Sequence, residues 1–429
     1  MRFWRDERGN VALLFGICVV PLLLGVGMAI DYTRAVNART AMQAALDNAA
    51  LMVMKDSVGL STSEITARAQ SYFQGLLSRK DINGVSVTVS YTPDTGKGAS
   101  LKLGATGALP TDFMRIAGYP TMTLDVGSTA AWGNTRLRVA LALDSTGSMG
   151  QHGKMPAMQS AAKSLIDQLK ANAKNPEDLY ISLVPFNTHI NTAKNYQKAW
   201  LDWSYWEEEN GSCSKGGNTR TKCASKGGTW TPDDHASWNG CITDRDEPYD
   251  VQKTPPAVSN TPTLFQPEQF DQCPAELIPL TTDWLGLKAR IDAMKAGGPT
   301  NQPVGMAWAW LSMMQTDPLN APAETAGYNY KKIIIVLSDG LNTKNKKSGN
   351  GSTHDTYVDG RQRLLCDNIK ADKVTVYSIQ VNTDGDPESD VLKYCATSPE
   401  NFFMLTSASQ ILSAFDQIAA SLSKLRIAK

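Results

Sequence analysis

The sequence predicts an α/β domain with a mainly parallel sheet and helices on both faces, preceded by a transmembrane helix and a small α+β module. Three patterns support this prediction. Residues 11–30 form an uncharged apolar run, residues 85–91 alternate with period two, and short apolar strands alternate with amphipathic helices from residue 136 onward. A chain of 429 residues is long enough for two or three domains, each with its own core.

The apolar run at residues 11–30 is long enough to cross a bilayer, since twenty helical residues span roughly the 30 Å of its hydrocarbon core. Arg2, Arg5 and Arg8 precede it, and short basic flanks stay in the cytoplasm. We therefore expect residues 1–58 to hold a cytoplasmic tip, a retained anchor and its helical extension. A cleaved signal peptide is the alternative, but no clear small-x-small cleavage site follows the run.

Residues 59–135 are expected to form the small α+β module. Ser61 and Glu64 have the spacing of a capping box at the start of an amphipathic helix. The alternation at residues 85–91 predicts a half-buried strand, with further short strands behind it. A short helix is expected at residues 112–116.

The α/β domain is expected to cover residues 136–429. Residues 137–143 and 333–337 are nearly continuous apolar runs, as in strands that are buried on both faces. Residues 200–275 interrupt the alternation of strands and helices, and they are rich in Gly, Pro, Ser and Thr. This composition indicates an insertion, because a structureless loop of that length would be unusual inside a compact domain.

Six cysteines lie in the part of the chain expected outside the cytoplasm, an even number typical of a disulfide-bonded exported domain. We expect a Cys366–Cys395 disulfide, because this pair flanks a late strand. The four cysteines of the insertion allow three connectivities; they are Cys213, Cys223, Cys241 and Cys273. Free buried thiols are the alternative, and zinc is disfavoured because no C-x-x-C pair is present.

Composition argues against a nucleic-acid partner, because 42 basic and 42 acidic residues leave no net basic field. Half of the ten tryptophans lie in the insertion: Trp200, Trp203, Trp206, Trp230 and Trp238. We interpret them as a miniature core held by disulfides, with an exposed aromatic contact surface as the alternative.

Oxygen-bearing side chains stand where predicted strands end. Asp144, Thr146 and Ser148 alternate in the loop after the first buried strand, and Asp339 follows a second one. Ligands of open parallel sheets bind outside the carboxyl ends of the strands, so these side chains are expected to converge. Thr300 adds a third hydroxyl from a glycine-rich loop before a helix.

Two carboxylates and three hydroxyls form an all-oxygen set that suits a hard divalent cation, Mg²⁺ or Mn²⁺. The carboxylates only neutralise such an ion, so an open coordination position would favour an acidic side chain of a protein partner. Each motif alone also fits an ordinary turn, whereas all three in order favour a metal site. His152 and His189, near its rim, are expected to be solvated polar residues.

This pattern resembles the metal-ion-dependent adhesion site (MIDAS) of the von Willebrand factor A domain, Asp-x-Ser-x-Ser followed by Thr and Asp. The matching residues, in order, are Asp144, Thr146, Ser148, Thr300 and Asp339. Thr146 replaces the first Ser and keeps its hydroxyl. The resemblance covers residues 136–429 apart from the insertion, and it implies a Rossmann-like sheet with Mg²⁺ bound at its top.

The N-terminal part is similar to the TadE/TadG-type anchor of Flp (tight-adherence) pilus assembly. The similarity lies in the apolar run and in residues 8–12 (RGNVA), 31–34 (DYTR) and 46–51 (LDNAAL). Such an anchor joined to an A domain resembles TadG-like proteins. Family members cleaved by prepilin peptidase carry Glu five residues after the cleaved Gly. In this chain the fifth residue after Gly9 is Leu14. We therefore expect neither cleavage nor polymerisation as a pilin.

The predicted function is a non-enzymatic, membrane-anchored, metal-dependent protein-binding component of the bacterial envelope that supports Flp/Tad pilus assembly or surface attachment. Its expected partner offers an acidic side chain to the metal, as a pilus or secretion component could. The expected location is the inner membrane, with the N-terminus cytoplasmic and the bulk periplasmic. A metal-dependent hydrolase is one alternative, disfavoured because no nucleophile–base pair is found. The other is a structural pseudopilin with a vestigial metal loop.

Overall fold

The chain divides into two compact units in the computed structural model. The first unit comprises residues 1–134 and 427–429, and the second comprises residues 135–426. The structure describes residues 10–56, 60–92, 99–132, 135–173, 175–326 and 328–427. Arg2, Arg5, Arg8 and Gly9, which carry the predicted orientation and the processing site, lie outside the described residues.

The first unit packs two helices against one face of a three-stranded antiparallel sheet of order β1-β2-β3. Its elements are α1 (Asn10–Asp56), α2 (Thr62–Leu76), β1 (Asn83–Thr92), β2 (Ala99–Pro110) and β3 (Thr121–Trp132). Buried Ala38, Met42 and Leu46 of α1 share a core with Leu101 and Leu103 of β2. The anchor's extension and the small module, which the sequence analysis gives as separate segments, thus share one core.

The N-terminal half of α1 exposes apolar side chains. They include Leu14, Phe15, Ile17, Val20, Leu22, Leu23, Val26, Met28 and Ile30. Among the helices of the described residues, α1 is the one that is long and apolar enough to cross a membrane. The expected apolar N-terminal helix is therefore confirmed, and its exposure is consistent with membrane anchoring.

The capping box predicted at the start of α2 is present. The Ser61 backbone amide donates to Glu64 Oε2 (2.8 Å), and the Glu64 amide donates to Ser61 Oγ (3.4 Å). Replacing Ser61 by alanine should cost about 1 kcal/mol, which would speed hydrogen exchange of the first α2 amides roughly fivefold. Mass spectrometry of exchange in the full chain measures this rate. Ser71→Ala, an exposed change in the same helix, should leave it unaltered; equal rates in both variants would contradict the prediction.

The second unit alternates strands and helices, with small elements between β6 and β10. Its elements are β4 (Thr135–Asp144), α3 (Lys154–Ala171), β5 (Leu179–Phe186), β6 (Ile190–Asn191), α4 (Ser204–Glu209), β7 (Gly211–Cys213), α5 (Arg220–Ser225), β8 (Trp230–Pro232), β9 (Cys241–Ile242), β10 (Ile278–Thr281), α6 (Trp284–Asp292), α7 (Gln302–Leu311), β11 (Asn329–Ser338), α8 (Thr356–Ala371), β12 (Thr375–Val381), α9 (Asp390–Cys395), β13 (Phe402–Leu405) and α10 (Gln410–Ile427).

Its main sheet has eight strands in the order β13-β12-β11-β4-β5-β6-β9, with β10 paired to β5. Strands β4, β5, β11, β12 and β13 pair in parallel, whereas β6, β9 and β10 join by antiparallel pairing. Strand β5 lies on one side of β4, and β11, which comes later in the chain, lies on the other side. This order is that of a doubly wound, Rossmann-like sheet. The expected fold class is confirmed.

Both faces of the sheet are buried, as the apolar runs predict. In β4, Val139 and Leu141 contact a core that includes side chains of α3, α6 and α10. Ala140 and Ala142, which alternate with them, face a second core that includes α7, α8, α9 and the insertion. Every residue of β4 is buried, so this strand forms the centre of the unit.

The insertion is a small folded structure and not a loose loop. Two disulfides hold it, Cys213–Cys223 and Cys241–Cys273, and a third, Cys366–Cys395, joins α8 to α9. Trp206 and Trp238 are each 1% exposed, and Trp203 contacts both edge-on at 5.5 Å. These rings are buried, but they share one core with Ala140 of β4 and Trp308 of α7, so the separate miniature core that the sequence analysis favoured is not formed.

Candidate metal site

The site begins where two neighbouring strands end. In the pairing of β4 with β11, Leu143 lies opposite Leu337. Asp144 is the last residue of β4, and Asp339 follows β11 directly. The sheet order reverses between these strands, which is where open α/β sheets bind ligands. The two carboxylates are therefore placed side by side at the switch point of the sheet.

Hydrogen bonds link four of the five predicted ligands. The Thr146 amide donates to Asp144 Oδ1 (2.7 Å), and Ser148 Oγ donates to Asp339 Oδ1 (2.8 Å). Thr146 Oγ1 and Ser148 Oγ lie 3.1 Å apart, and Ser338 Oγ donates to Asp144 Oδ2 (2.5 Å). Two carboxylates and two hydroxyls thus converge from loops almost 200 residues apart in sequence.

Thr300 lies in a loop that is attached to the first metal loop by its backbone. The Gly147 amide donates to the Gly298 carbonyl (2.9 Å), and the Gly297 amide donates to the Ser145 carbonyl (2.7 Å). Gly298 has φ +83°, and a Cβ there would lie 2.8 Å from Asn187 Nδ2, so glycine is required at this turn. Thr300 itself is buried, but its hydroxyl makes none of the hydrogen bonds that link the other four side chains.

The Asp144 carboxyl is held in an unusual environment. Burial and the neighbouring Asp339 raise its pKa to about 7, against the opposing hydrogen bonds from Ser338 and Thr146. In the absence of a cation, this carboxyl is therefore about half protonated at neutral pH. Such a raised pKa beside a second carboxylate is typical of a functional site.

Lys154 is the main feature that the sequence analysis missed. Its side chain is fully buried, and Nζ lies 2.6 Å from Asp339 Oδ2 and 2.6 Å from Asp384 Oδ2. The contact with Asp339 is an ion pair and not an aligned hydrogen bond, since Oδ2 has no hydrogen-bond partner. Burial opposes the charge, but both carboxylates outweigh it and raise the pKa of Lys154. The sequence signal was a lysine on the apolar face of α3, one turn before Met158.

The two rim histidines differ from each other. His152 is exposed, and its Nε2 lies 2.9 Å from Asp384 Oδ1. The expectation that His189 is solvated was wrong: it is buried, stacks on Phe270 at 4.2 Å, and pairs through Nε2 with Glu268 Oε2 (2.8 Å). The insertion, which supplies Phe270 and Glu268, shields this imidazole from water.

The insertion also reaches the loop that carries Thr300. Asn301 Nδ2 donates to Asp244 Oδ2 (2.8 Å), and the Lys346 amide donates to the same oxygen (3.1 Å). Burial raises the pKa of Asp244 to about 6, although both hydrogen bonds oppose this shift. Asn301 Oδ1 in turn accepts from the Val304 amide at the start of α7 (3.4 Å). A residue of the insertion thus contacts the neighbour of a predicted ligand.

The donor set fits a hard divalent cation in its chemistry. The described residues contain no group of three or more His, Cys, Asp or Glu side chains arranged to hold a metal, so a cation here would need hydroxyl ligands as well. When Asp144 is ionised, the three carboxylates of Asp144, Asp339 and Asp384 and the ammonium of Lys154 sum to a charge of −2. One divalent cation neutralises that sum, and carboxylate and hydroxyl oxygens are ligands that Mg²⁺ accepts.

Comparison with known proteins places the N-terminus in a pilus context. Residues 9–56 match the family described as putative Flp pilus-assembly TadE/G-like. A search of curated proteins found no match. The family description concerns pilus assembly, so it supports the expected non-enzymatic role.

Solved structures with a similar chain path include three proteins from different sources. The pilus adhesin SpaC from Lactobacillus rhamnosus GG has 12% identity and a TM-score of 0.39, over 80% of this chain and 35% of that one. The vWF domain of the type V pili tip protein Mfa5 from Porphyromonas gingivalis has 12% identity and a TM-score of 0.39, over 68% and 97%. Proximal thread matrix protein 1 from the mussel byssus, with a zinc-occupied MIDAS motif, has 11% identity and a TM-score of 0.34, over 66% of this chain and 47% of that one.

The chain spans about a third of the length of the SpaC adhesin. The fold assignment therefore rests on the strand order described above, and the assignment of the N-terminus rests on the family match. The family match agrees with the motifs at residues 8–12 and 46–51 and with the apolar run between them. Residues 9–56 of this chain thus match the family described as putative Flp pilus-assembly TadE/G-like.

Proposed function

We infer that this chain is a membrane-anchored component of the bacterial envelope that binds a protein partner through a divalent cation and supports Flp/Tad pilus assembly or surface attachment. One observation carries the proposal: Asp144, Thr146, Ser148 and Asp339 converge at the switch point of a doubly wound sheet. The family match at residues 9–56 supports the pilus context.

The cation, Mg²⁺ or Mn²⁺, would be held by these four side chains, with Thr300 supplied by the attached loop. When bound, it supplies a positive charge with a coordination position open to a partner's carboxylate. Ser148 is half-buried and Gly147 is exposed, whereas the two aspartates are buried, so a partner can approach from the Ser148 side. Lys154 holds Asp339 in place and offsets part of its charge.

Membrane attachment through α1 would place the rest of the chain on the non-cytoplasmic side. The exposed apolar half of the helix supports the attachment. The three disulfides of the second unit support an oxidising compartment such as the periplasm. These two features together support the proposed inner-membrane location.

Calorimetric titration of Mg²⁺ and of Mn²⁺ into the full chain in detergent tests the metal site. We expect saturable one-site binding, lost in Asp339→Asn and weakened at least tenfold in Ser148→Ala, because each change removes an oxygen donor. Asp292→Asn is the matched control, since that carboxylate pairs with Lys163 away from the site. Folded wild-type protein that binds neither ion would refute the metal site.

The partner function needs a separate measurement in cells. A strain lacking this protein, supplied with wild type or Asp339→Asn at equal membrane abundance, should regain pili and attachment with the first and not with the second. Full recovery with a variant that binds no cation would show that the metal loop is dispensable.

A further inference from the structure

A loop of the first unit exposes apolar side chains next to the N-terminal half of α1. It covers residues 111–119, between β2 and β3, and is called the interfacial loop below. Ile116 is 72% exposed, Tyr119 is 63% exposed and Phe113 is 38% exposed. Arg115 is exposed between them. Soluble proteins rarely expose several large apolar side chains together, and such a cluster is typical of a contact surface.

The interfacial loop is rigidly closed at its base. The Thr111 amide donates to the Pro120 carbonyl (3.1 Å), and Thr111 Oγ1 donates to the Tyr119 carbonyl (2.5 Å). The short helix expected at residues 112–116 is a 3₁₀ turn at Met114–Ala117. The exposed side chains are therefore presented by a fixed backbone.

Asp31 fastens this loop to α1 at the residue where the apolar run ends. Its carboxylate is 1% exposed and accepts three backbone amides, from Asp112 (3.0 Å), Phe113 (2.8 Å) and Met114 (2.8 Å). Arg34, one turn further on, pairs with the Asp112 side chain. The charges at this junction are thus paired with groups of the loop and the helix.

Phe113 reaches back along α1 into the apolar run. A Cβ on Gly27 would overlap the Phe113 ring, so the absence of a side chain at Gly27 is what allows the ring to lie there. Gly27 precedes Asp31 by four residues, which is about 6 Å along a helix axis. If residues 11–30 cross the bilayer, this ring lies within the depth of 5–10 Å at which interfacial side chains are buried.

We propose that the interfacial loop is a second membrane contact, in which Phe113, Ile116 and Tyr119 enter the headgroup region of the bilayer and Arg115 faces lipid phosphates. The proposal rests on the membrane attachment inferred above. The position of the loop supports this proposal, because the loop is hydrogen-bonded to α1 at Asp31, where the exposed apolar part of the helix ends. Aromatic and basic side chains are the residue types favoured at membrane–water interfaces. Two contacts would fix the tilt of the first unit on the membrane.

Spin labels at single cysteines in the full chain, reconstituted in phosphatidylcholine–phosphatidylglycerol vesicles, test the depth of this loop. The background is Cys18→Ala, because Cys18 is the free cysteine among the described residues. The test site is Ile116→Cys and the membrane reference is Leu22→Cys. The aqueous control is Ser90→Cys, which is exposed and paired with Lys102, about 26 Å along β2 from Pro110.

The ratio of collision with oxygen to collision with a water-soluble nickel chelate reports depth. We expect the ratio at position 116 to exceed that at position 90 several-fold and to stay below that at position 22, because Leu22 lies near the middle of the apolar run. A ratio at 116 equal to that at 90, with 22 immersed, would refute the interfacial loop and leave the anchor intact. A ratio at 22 equal to that at 90 would refute both the anchor and the loop.

Discussion

Replacing Lys154 by methionine is expected to lower the free energy of unfolding of the second unit by about 3–5 kcal/mol in the presence of EDTA. The variant keeps most of the side-chain volume but removes the ammonium that lies 2.6 Å from Asp339 Oδ2. Asp339 is fully buried, so its charge would be left with the Ser148 hydroxyl as a hydrogen-bond donor and with no cation to offset it. Asp384 is 31% exposed and water can screen it, so most of the loss comes from Asp339.

Urea unfolding followed by tryptophan fluorescence measures this effect, since most tryptophans lie in the second unit. Lys163→Met is the matched control in the same helix: its ion pair with Asp292 is solvent-exposed and should contribute less than about 1 kcal/mol. Mg²⁺ should restore part of the stability of Lys154→Met, because the cation takes over the neutralisation of Asp339. Equal losses in the two variants would show that the buried pair has no special role.

Replacing Asp144 by asparagine should stabilise the metal-free protein above neutral pH. The folded pKa of about 7 exceeds the ordinary value of 3.8, so the folded state binds this proton more tightly than the unfolded state. Stability therefore falls as pH rises from about 4 to 7 and is constant above that range. The full penalty is at most about 4 kcal/mol, and about 2 kcal/mol of it appears between pH 5.5 and pH 8. Asparagine removes this penalty because it carries no charge.

The test measures the free energy of unfolding of wild type and of Asp144→Asn in EDTA, at pH 5.5 and at pH 8. The stability difference between the two proteins should change by about 2 kcal/mol between these pH values. Asp372→Asn is the control. Burial opposes the charge of Asp372, but the hydrogen bonds from Lys253 and Trp310 outweigh burial and lower its pKa. The stability that this carboxylate contributes is therefore lost only at pH values below the range tested. Its difference from wild type should be the same at both pH values. At pH 8, Mg²⁺ should stabilise wild type and leave Asp144→Asn unchanged. A pH-independent difference for Asp144→Asn would contradict the assigned environment.

Local sequence patterns were enough to predict the fold and the placement of the two aspartates. Strands β4 and β11 are continuous apolar runs because the sheet buries both of their faces. The residues that follow such strands must lie at one edge of a parallel sheet, so Asp144 and Asp339 were predictable without knowledge of the loops. The capping box at Ser61 was equally local.

The surroundings of the site could not be predicted, because they depend on contacts between distant residues. Lys154 and Asp384 are 230 residues apart, and no periodicity shows that they meet. The contact of Asp244 with Asn301 likewise depends on how the insertion folds back. Strand β10 and helix α9 have four and six residues, too few to show a period.

The outer strands of the two sheets differ in a way that bears on self-association. In the second unit they are β13 and β10, with four residues each, and β9, with two, so none offers a long row of free amides and carbonyls to another chain. In the first unit the outer strands, β1 and β3, have ten and twelve residues. Strand-to-strand aggregation of this protein, when it is concentrated, should therefore start at the first unit and spare the candidate metal site.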